Sequence, residues 1–248
     1  MISQDSLVQA ARSQQTTELN VAREYCQHLF LSSFYRQAGS ERILFKGGTA
    51  LRIVFGSPRF SEDLDFSGFG ATVSEIETWV LETVGEIEQH GMGIELAESK
   101  TTSGGYLATM DCRVHDYSVR ILIEISLRSQ ARSKSRAPQV QGQGMLITPD
   151  FLPAYTLLLL PEAVLVEEKL NALLTRGKPR DYYDIYFLLR KGMITVEQRP
   201  RLAEVKHKLL RSKLNLQREL ALFLPRSHHA VLREFNRILE AELTRHGA

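Results

Sequence analysis

The chain has 248 residues, of which 43% are apolar and 24% are charged, a composition typical of a folded globular protein. This composition excludes collagen-like, low-complexity and wholly disordered proteins, and the length allows one large domain or two small ones. The formal net charge is only +2, so the chain as a whole is not a polycation, and any contact with nucleic acid must come from local basic clusters.

Cysteines and apolar stretches indicate the compartment. Cys26 and Cys112 are far apart in sequence and neither belongs to a Cys-x-x-Cys pair, which argues against a disulfide framework and a zinc knuckle and suits a reducing cytosol. The N-terminus has no apolar signal core, and residues 151–166 are too short and too interrupted by proline to span a bilayer. The sequence therefore predicts a cytoplasmic protein without a membrane segment.

The predicted elements of the first half alternate between helices and short strands. Apolar residues at steps of three and four predict a helix over Ser3–Gly39, and the glycines at 47 and 48 close a short apolar strand. In chain order, the predictions are a helix over Ser3–Gly39, a strand over Ile43–Phe45, a helix over Thr49–Phe55 and a strand over Leu64–Phe66.

Further along the chain, the pattern changes from strands to helices. Ser74 is predicted to start a helix with Glu77 as its capping-box partner, and Gly91–Ser126 is predicted to form strands. Within Val119–Leu127, odd-numbered apolar residues alternate with Arg120, Leu122, Glu124 and Ser126. Ser129–Gln143 is predicted to be a loop, and the chain from Ala154 onward to be helical. The change near residue 150 predicts an α+β domain over residues 1–150 and a helical domain over residues 151–248.

Two aspartates at the start of the predicted strand indicate a metal site. Asp63 and Asp65 are two residues apart, so on a strand their side chains project from the same face. Neighbouring carboxylates repel each other unless a cation lies between them, and Mg²⁺ prefers oxygen ligands and substrate phosphates. The alternative is a solvated edge strand whose charges block the addition of another strand.

A glycine turn lies just upstream of these acids. Gly47, Gly48 and Thr49 lead from a strand into a helix, where free amides and a close backbone approach favour an anion, and Arg52 and Arg59 add positive charge. A tight turn with Thr49 as a helix cap is the alternative. A Walker-type phosphate loop is absent. Together the turn and the acids predict metal-assisted phosphoryl or nucleotidyl transfer.

In these motifs the sequence resembles the AbiEii/AbiGii-type nucleotidyltransferase toxins, which include the mycobacterial MenA group. This family belongs to the minimal-nucleotidyltransferase, DNA-polymerase-β-like superfamily. The motifs that carry the resemblance are Lys46-Gly47-Gly48-Thr49-Ala50-Leu51, Arg59-Phe60-Ser61-Glu62-Asp63-Leu64-Asp65-Phe66, Lys169, and Arg180-Asp181-Tyr182-Tyr183-Asp184-Ile185-Tyr186. It covers roughly residues 20–190. The resemblance implies a nucleotidyltransferase-type mixed sheet with flanking helices, followed by an all-helical C-terminal half that completes the active-site cleft.

The resemblance also implies an activity: transfer of a nucleoside monophosphate from an NTP to an acceptor, with Mg²⁺ or Mn²⁺ as cofactor. Asp63 and Asp65 would bind the metal, and a third acid would complete the site or take the acceptor proton. Glu124 is the candidate for this third acid, and Asp111 competes for the role. Lys169 would contact phosphates and Asp181 would line the active site. The residues expected to bind nucleotide are Lys46, Gly47, Gly48, Thr49, Arg52, Arg59, Ser61 and Lys169.

Residues of the second half also have simpler interpretations. Lys169 lies on the apolar side of its predicted helix, where a lysine either extends to the rim or reaches a polar cleft. Asp181 and Asp184 are spaced as helix-capping residues are. From the residues alone, both pairs of alternatives stay open.

Acceptor and partners follow from basic clusters and from the resemblance. The clusters are Arg128, Arg132, Lys134 and Arg136; Lys178 and Arg180; and Arg199, Arg201, Lys206, Lys208, Arg211 and Lys213. Such clusters favour RNA over a cationic small molecule, although a solvated helix face is the alternative for the last. The resemblance implies the tRNA 3′ end as acceptor and a cognate antitoxin, either a repressor or a kinase acting on Thr49 or Ser61. The other candidate functions are nucleotidyl transfer to a protein or small molecule, and catalytically silent NTP binding.

Overall fold

The computed structural model describes residues 1–128, 140–212 and 216–248, which fall into two compact units. The first unit comprises Met1–Gly56 and Phe60–Pro161, and the second comprises Ser57–Arg59 and Glu162–Ala248. The division after Pro161 lies about one strand beyond the boundary predicted near residue 150, because residues 151–161 contribute a strand to the first unit.

The first unit is a mixed sheet with helices, as the sequence predicts. Its helices are α1 (Gln4–Ser13), α2 (Glu18–Phe34), α3 (Gly47–Ile53) and α4 (Val73–Gln89). Its strands are β1 (Ile43–Lys46), β2 (Leu64–Phe69), β3 (Gly93–Thr102), β4 (Gly105–Val114), β5 (Tyr117–Arg128), β6 (Gln143–Ile147) and β7 (Tyr155–Leu159). Within the described residues these form a seven-stranded sheet of order β3-β4-β5-β2-β1-β7-β6, in which β2 and β5 are parallel, as are β1 and β7.

The two faces of the central strands differ in burial. Along β5, Ile121, Ile123 and Ile125 are fully buried, while Arg120 and Glu124 are exposed, which confirms the predicted alternation. Helices α2 and α4 pack on the apolar side of the sheet, where the ring centroid of Phe66 lies 5.7 Å from that of Phe34 and 5.3 Å from that of Phe45. The hydrophobic core therefore lies on one side, and the polar side chains of β2 and β5 lie on the other.

The second unit is helical. Its elements are α5 (Glu162–Thr175), α6 (Pro179–Lys191), α7 (Leu202–Arg211), α8 (Leu216–Leu220), α9 (His229–Arg233) and α10 (Phe235–Arg245). Proline at the first position and Gly192 in a left-handed conformation define the two ends of α6. Tyr183 of α6 stacks on Phe235 of α10, with ring centroids 5.8 Å apart. No helix among the described residues has both the length and the apolar character needed to cross a bilayer.

Three predicted elements differ from the structure. The single helix expected over Ser3–Gly39 is two helices, because Gln15 adopts a positive φ of 53° and Thr17 caps the start of α2 through its side chain. The capping box of α4 consists of Thr72 and Glu75, two residues before the predicted pair. Both capping pairs have the same spacing, but only Thr72 stands outside the helix, where its hydroxyl can accept from the backbone.

The prediction of helix from Ala154 onward is wrong for the first eight residues. Tyr155–Leu159 forms β7, which pairs with β6 and β1 and has buried Leu157 and Leu159. A short apolar run fits a buried strand as well as a helix, and the choice depends on the neighbouring strands. Most of the loop predicted over Ser129–Gln143 lies outside the described residues, and so do Arg132, Lys134, Arg136 and Lys213.

Candidate functional site

Three of the predicted site residues form a row across the sheet. Asp65 of β2 is the register partner of Glu124 on the parallel strand β5 and of Lys46 on the antiparallel strand β1. Directly paired residues on neighbouring strands project from the same face, and the strands lie about 4.8 Å apart. Asp65 is half-buried, Glu124 is exposed and Lys46 is 9% exposed. The sheet thus brings two carboxylates together on the face opposite its apolar core.

The other predicted acid, Asp63, lies one residue before β2. It is two residues from Asp65, the spacing that directs both side chains to one face of an extended segment. Its carbonyl oxygen accepts a hydrogen bond from the hydroxyl of Thr49, and the carbonyl of Ser61 accepts one from Gln27 Nε2 at 2.9 Å. Two buried side chains therefore hold the segment that contains Asp63 by its carbonyl groups.

Between the two candidates for the third acid, the register favours Glu124. Asp111 lies on β4 four residues from Leu107, which is the partner of Glu124, so it is about 13 Å further along the strand. Both oxygens of Asp111 accept from Arg120, at 2.7 and 2.6 Å, and this hydrogen-bonded pair lowers the pKa of Asp111. Asp111 is thus paired with Arg120, away from the row.

The glycine turn lies against Asp65. Gly47 has a φ of +87°, and a Cβ on it would lie 2.1 Å from Asp65 Oδ2, closer than any real contact. Only glycine allows both the left-handed backbone and this approach. Gly48 and Thr49 follow in the first turn of α3 and are buried, and the hydroxyl of Thr49 is already bonded to Asp63.

Arg52, which was expected to bind nucleotide, has a well-defined set of protein partners. Its Nε donates to Glu24 at 2.7 Å, and its Nη2 donates to Gln14 at 2.7 Å. The guanidinium also lies 3.9 Å from the ring centroid of Phe60. Arg52, Glu24 and Gln14 line a pocket of about 440 Å³ that has neither Asp63 nor Asp65 in its wall. The charge of Arg52 is thus directed at Glu24.

In the second unit, Arg59 and Lys169 share one buried carboxylate. Asp184 accepts from Arg59 Nε at 2.9 Å and from Lys169 Nζ at 2.7 Å. Burial alone would raise the pKa of Asp184, but the two cations outweigh it and lower that pKa. Asp184 was not predicted as a partner of these cations, although it lies in the motif of residues 180–186. Lys169 on an apolar helix face is the signal that could have found it, since a buried cation requires an anionic partner.

Asp181 lies at the start of α6. Its carboxylate accepts from the backbone nitrogen of Lys178 at 2.9 Å and from Arg176 at 2.7 and 3.0 Å, and it is 1% exposed. Asp181 thus takes part in capping, but not as predicted: it is the third residue of α6 and its partner is Lys178, the residue before the helix, and not Asp184. The capping interpretation does not hold for Asp184, whose oxygens are engaged by Arg59 and Lys169.

Several residues of the basic clusters bond within the chain. Lys208 donates to the carbonyls of Leu174 and Thr175 at the end of α5, and Lys206 donates to Thr244. Arg201 bonds to Glu167 and Asn171. Part of the third cluster is thus engaged in helix packing. Arg128, at the end of β5, is exposed, and its Nε donates to the hydroxyl of Ser67 at 3.5 Å.

The sequence matches the family model of the nucleotidyl transferase AbiEii toxin of type IV toxin–antitoxin systems over residues 29–245, which is most of the chain. The chain belongs to this AbiEii family. It is a nucleotidyltransferase and the toxin of a type IV toxin–antitoxin system, as the motifs at Lys46–Leu51 and Arg59–Phe66 indicate.

Solved structures of low sequence identity share the fold of this AbiEii-family chain. JHP933 from Helicobacter pylori has a TM-score of 0.65 at 19% identity, with 93% of each chain covered. The nucleotidyltransferase toxin MenT4 from Mycobacterium tuberculosis has a TM-score of 0.62 at 19% identity, covering 98% of this chain and 90% of MenT4. The mycobacterial toxin that shares this fold is thus named MenT and not MenA. Among curated proteins, nothing matches the chain significantly.

The AbiEii-family site offers the oxygen ligands that a hard divalent cation prefers, but it does not enclose the cation completely. Asp63, Asp65 and Glu124 offer carboxylate oxygens, the ligand type that Mg²⁺ prefers. Among residues 1–128, 140–212 and 216–248, no three Asp, Glu, His or Cys side chains are close enough to enclose a metal as they stand. Mg²⁺ in nucleotide enzymes is usually held by one or two carboxylates together with substrate phosphates, so this donor set fits such an ion.

Proposed function

We propose that this nucleotidyltransferase holds Mg²⁺ with Asp63 and Asp65, has Glu124 as the third acid that completes the metal site or takes the acceptor proton, and transfers a nucleoside monophosphate from an NTP to the 3′ end of tRNA. The observation that carries the proposal is the register of Asp65 with Glu124, beside a glycine turn that closely approaches Asp65. Two acids on one polar face, next to the backbone amides at the start of α3, suit a metal-bound triphosphate.

The chemistry can be written from the residues of the first unit. Bound Mg²⁺ would neutralise the triphosphate charge and activate the α-phosphorus. Glu124, which is exposed, would accept the proton of the acceptor hydroxyl while the hydroxyl oxygen forms a bond to the α-phosphorus. The bond between the α-phosphorus and the oxygen that bridges it to the β-phosphate breaks, and pyrophosphate leaves with the electron pair of that bond. Positioning and electrostatics supply most of the catalysis in such reactions, so no cysteine or histidine nucleophile is needed.

Nucleotide contacts are proposed for the motif residues whose main chain or charge faces the row. Lys46 is the register neighbour of Asp65, and the amides of Gly47 and Gly48 start α3. Ser61 precedes the acids, and the roles of Arg59, Lys169 and Asp181 remain predictions from the family resemblance. Arg52 and Thr49 have protein partners that account for them in other ways.

RNA is the proposed acceptor because the sequence places Arg128, Arg132, Lys134 and Arg136 together without an intervening acid. Arg128 stands at the exposed end of β5, the same strand that carries Glu124. A basic surface beside a nucleotidyl-transfer site suits a polyanionic acceptor better than a cationic small molecule. A protein acceptor would not require this charge.

The toxin family implies an antitoxin partner. Of the two hydroxyls considered for modification by an antitoxin kinase, Ser61 is half-buried, whereas Thr49 is fully buried and bonded to Asp63. Modification is therefore proposed at Ser61, since Thr49 would become accessible only after the turn opens. Mass spectrometry of the toxin co-expressed with its antitoxin would identify the modified hydroxyl, and a phosphate on Thr49 alone would contradict this choice.

The function is tested by incubating the purified protein with each labelled NTP, Mg²⁺ and total tRNA, followed by sequencing of tRNA 3′ ends. We expect one or more nucleotides added at the 3′ end, dependent on divalent metal and lost in Asp63→Asn and Asp65→Asn. Label on added protein instead of tRNA would overturn the acceptor. Unchanged activity in both variants would overturn the metal site.

A further inference from the structure

The segment that contains Asp63 lies at the edge of the sheet ladder. β2 starts at Leu64, whose partner on β5 is Ile123, and its pairing with β1 starts only at Asp65. The backbone of Asp63 is therefore not among the paired ladder positions. A catalytic carboxylate must be held to within a fraction of an ångström, so other groups have to hold this segment.

Two buried side chains bind the main chain of this segment from different elements. The hydroxyl of Thr49 on α3 donates to the carbonyl of Asp63, and the amide of Gln27 on α2 donates to the carbonyl of Ser61 at 2.9 Å. Thr49 is 0% exposed and Gln27 is 2% exposed. A third contact is the ion pair between Arg23 of α2 and Glu62 at 3.5 Å, and Glu62 lies between Ser61 and Asp63 in the chain.

From these contacts we infer that Thr49 and Gln27 are positioning residues for the catalytic acids, which assigns Thr49 to the support of Asp63 rather than to the phosphates. The inference rests on the proposed role of Asp63 and Asp65. A buried hydroxyl whose proton is donated to Asp63 cannot donate it to a nucleotide as well. Gln27 lies on the apolar side of the sheet, in the layer of α2, and acts only through the backbone of Ser61.

The inference is tested with substitutions of closely similar shape. Thr49→Val and Gln27→Met remove the donors, Thr49→Ser restores the hydroxyl, and Thr83→Val is the matched control. Thr83 is also fully buried in the first unit, and its hydroxyl donates within α4 to the carbonyl of Trp79 at 2.6 Å. The same Thr-to-Val change is therefore made in both places, and only one place touches the acid segment.

We expect Thr49→Val and Gln27→Met to lower kcat about tenfold or more, with KM for NTP changed less than about threefold, because a displaced carboxylate weakens the reaction more than nucleotide binding. Thr49→Ser should recover most of kcat, and Thr83→Val should leave it unchanged. In the metal-free protein, amide hydrogen exchange over residues 60–64 should quicken in both donor-removing variants and not in Thr83→Val.

Other results would overturn the positioning role of Thr49 or of Gln27. A rise in KM for NTP at unchanged kcat in Thr49→Val would make Thr49 a phosphate ligand and overturn the inference for that residue. Unchanged kcat and exchange in Gln27→Met would overturn it for Gln27. If Thr49→Val does not fold, Thr49→Ala removes the same hydroxyl and is measured in its place. Full activity of Asp63→Asn and Asp65→Asn would instead defeat the proposed function itself.

Discussion

Asp65 and Glu124 are register partners on the adjacent parallel strands β2 and β5, so that their carboxylates share the polar face of the sheet. The two residues are 59 positions apart in the chain, and the pairing depends on where β5 returns beside β2. This relationship, together with the turn at Gly47, forms the centre of the proposed active site.

The first prediction concerns Gly47. Gly47→Ala would place a methyl group 2.1 Å from Asp65 Oδ2 in a left-handed backbone, so we expect lost activity and a loss of unfolding free energy well above the ~1–2 kcal/mol that a positive φ alone costs. Gly56 is the matched control: its φ is +74°, and a Cβ there would have nothing within 4 Å. Urea denaturation and NTP turnover of both variants check this. Equal effects of the two substitutions would contradict the role of the close contact.

The second prediction separates the two candidates for the third acid. Glu124→Gln should lower kcat about a hundredfold or more while leaving stability near that of the wild type, because the side chain is exposed and its charge matters to the reaction. Asp111→Asn should leave kcat within about twofold, since Asp111 pairs with Arg120 away from the row. Steady-state kinetics of both variants decide the matter, and a larger loss in Asp111→Asn would reverse the assignment.

The third prediction concerns Arg52. We expect Arg52→Gln and Glu24→Gln to destabilise the protein by similar amounts, with KM for NTP unchanged, because each group is the other's partner in a largely buried pair. In a double-mutant cycle the coupling free energy should be about 0.5–3 kcal/mol. Thermal unfolding of the four proteins measures it. A coupling near zero, or a rise in KM in Arg52→Gln alone, would restore a nucleotide-binding role.

The fourth prediction is a pH dependence that originates at Asp184. Its pKa is lowered in the folded protein because Arg59 and Lys169 outweigh the effect of burial. The charged carboxylate therefore contributes stability above the unfolded pKa of about 3.9, and this contribution is lost as the pH falls through the folded pKa. Asp184→Asn should cost about 3–5 kcal/mol at neutral pH, because it leaves two cations without their anion.

The difference in unfolding free energy between the wild type and Asp184→Asn should therefore shrink as the pH falls from neutral towards 3. Urea titrations at several pH values measure this difference directly. A difference that stays constant over that range would show that the shape of the side chain, and not its charge, provides the stability.

Much of the site could be predicted from local sequence. The Gly47-Gly48 turn, the Asp-x-Asp spacing and the alternation along β5 are short-range patterns, because strand side chains alternate and glycine alone accepts a left-handed turn under contact. From these patterns alone one can predict that Asp63 and Asp65 share one face of their strand, without knowing the rest of the fold. Family membership confirms the reaction class that they indicate.

The partners of the cations could not be predicted in the same way. Arg52 and Arg59 lie seven positions apart in the motif region, yet one meets Glu24 of α2 and the other meets Asp184, 125 positions away. From the sequence, a positive charge next to a phosphate-binding motif looks available to bind nucleotide. Its actual partner depends on which distant carboxylate shares its buried environment.

The sequence by itself determined the glycine turn and the shared face of Asp63 and Asp65. Both depend only on backbone geometry within a few residues. Only the tertiary structure decided that Glu124 rather than Asp111 stands beside Asp65, that Tyr155–Leu159 is a strand, and that Thr49 bonds to Asp63. Each of these depends on the register of distant segments, and register follows from how the whole sheet buries its apolar face.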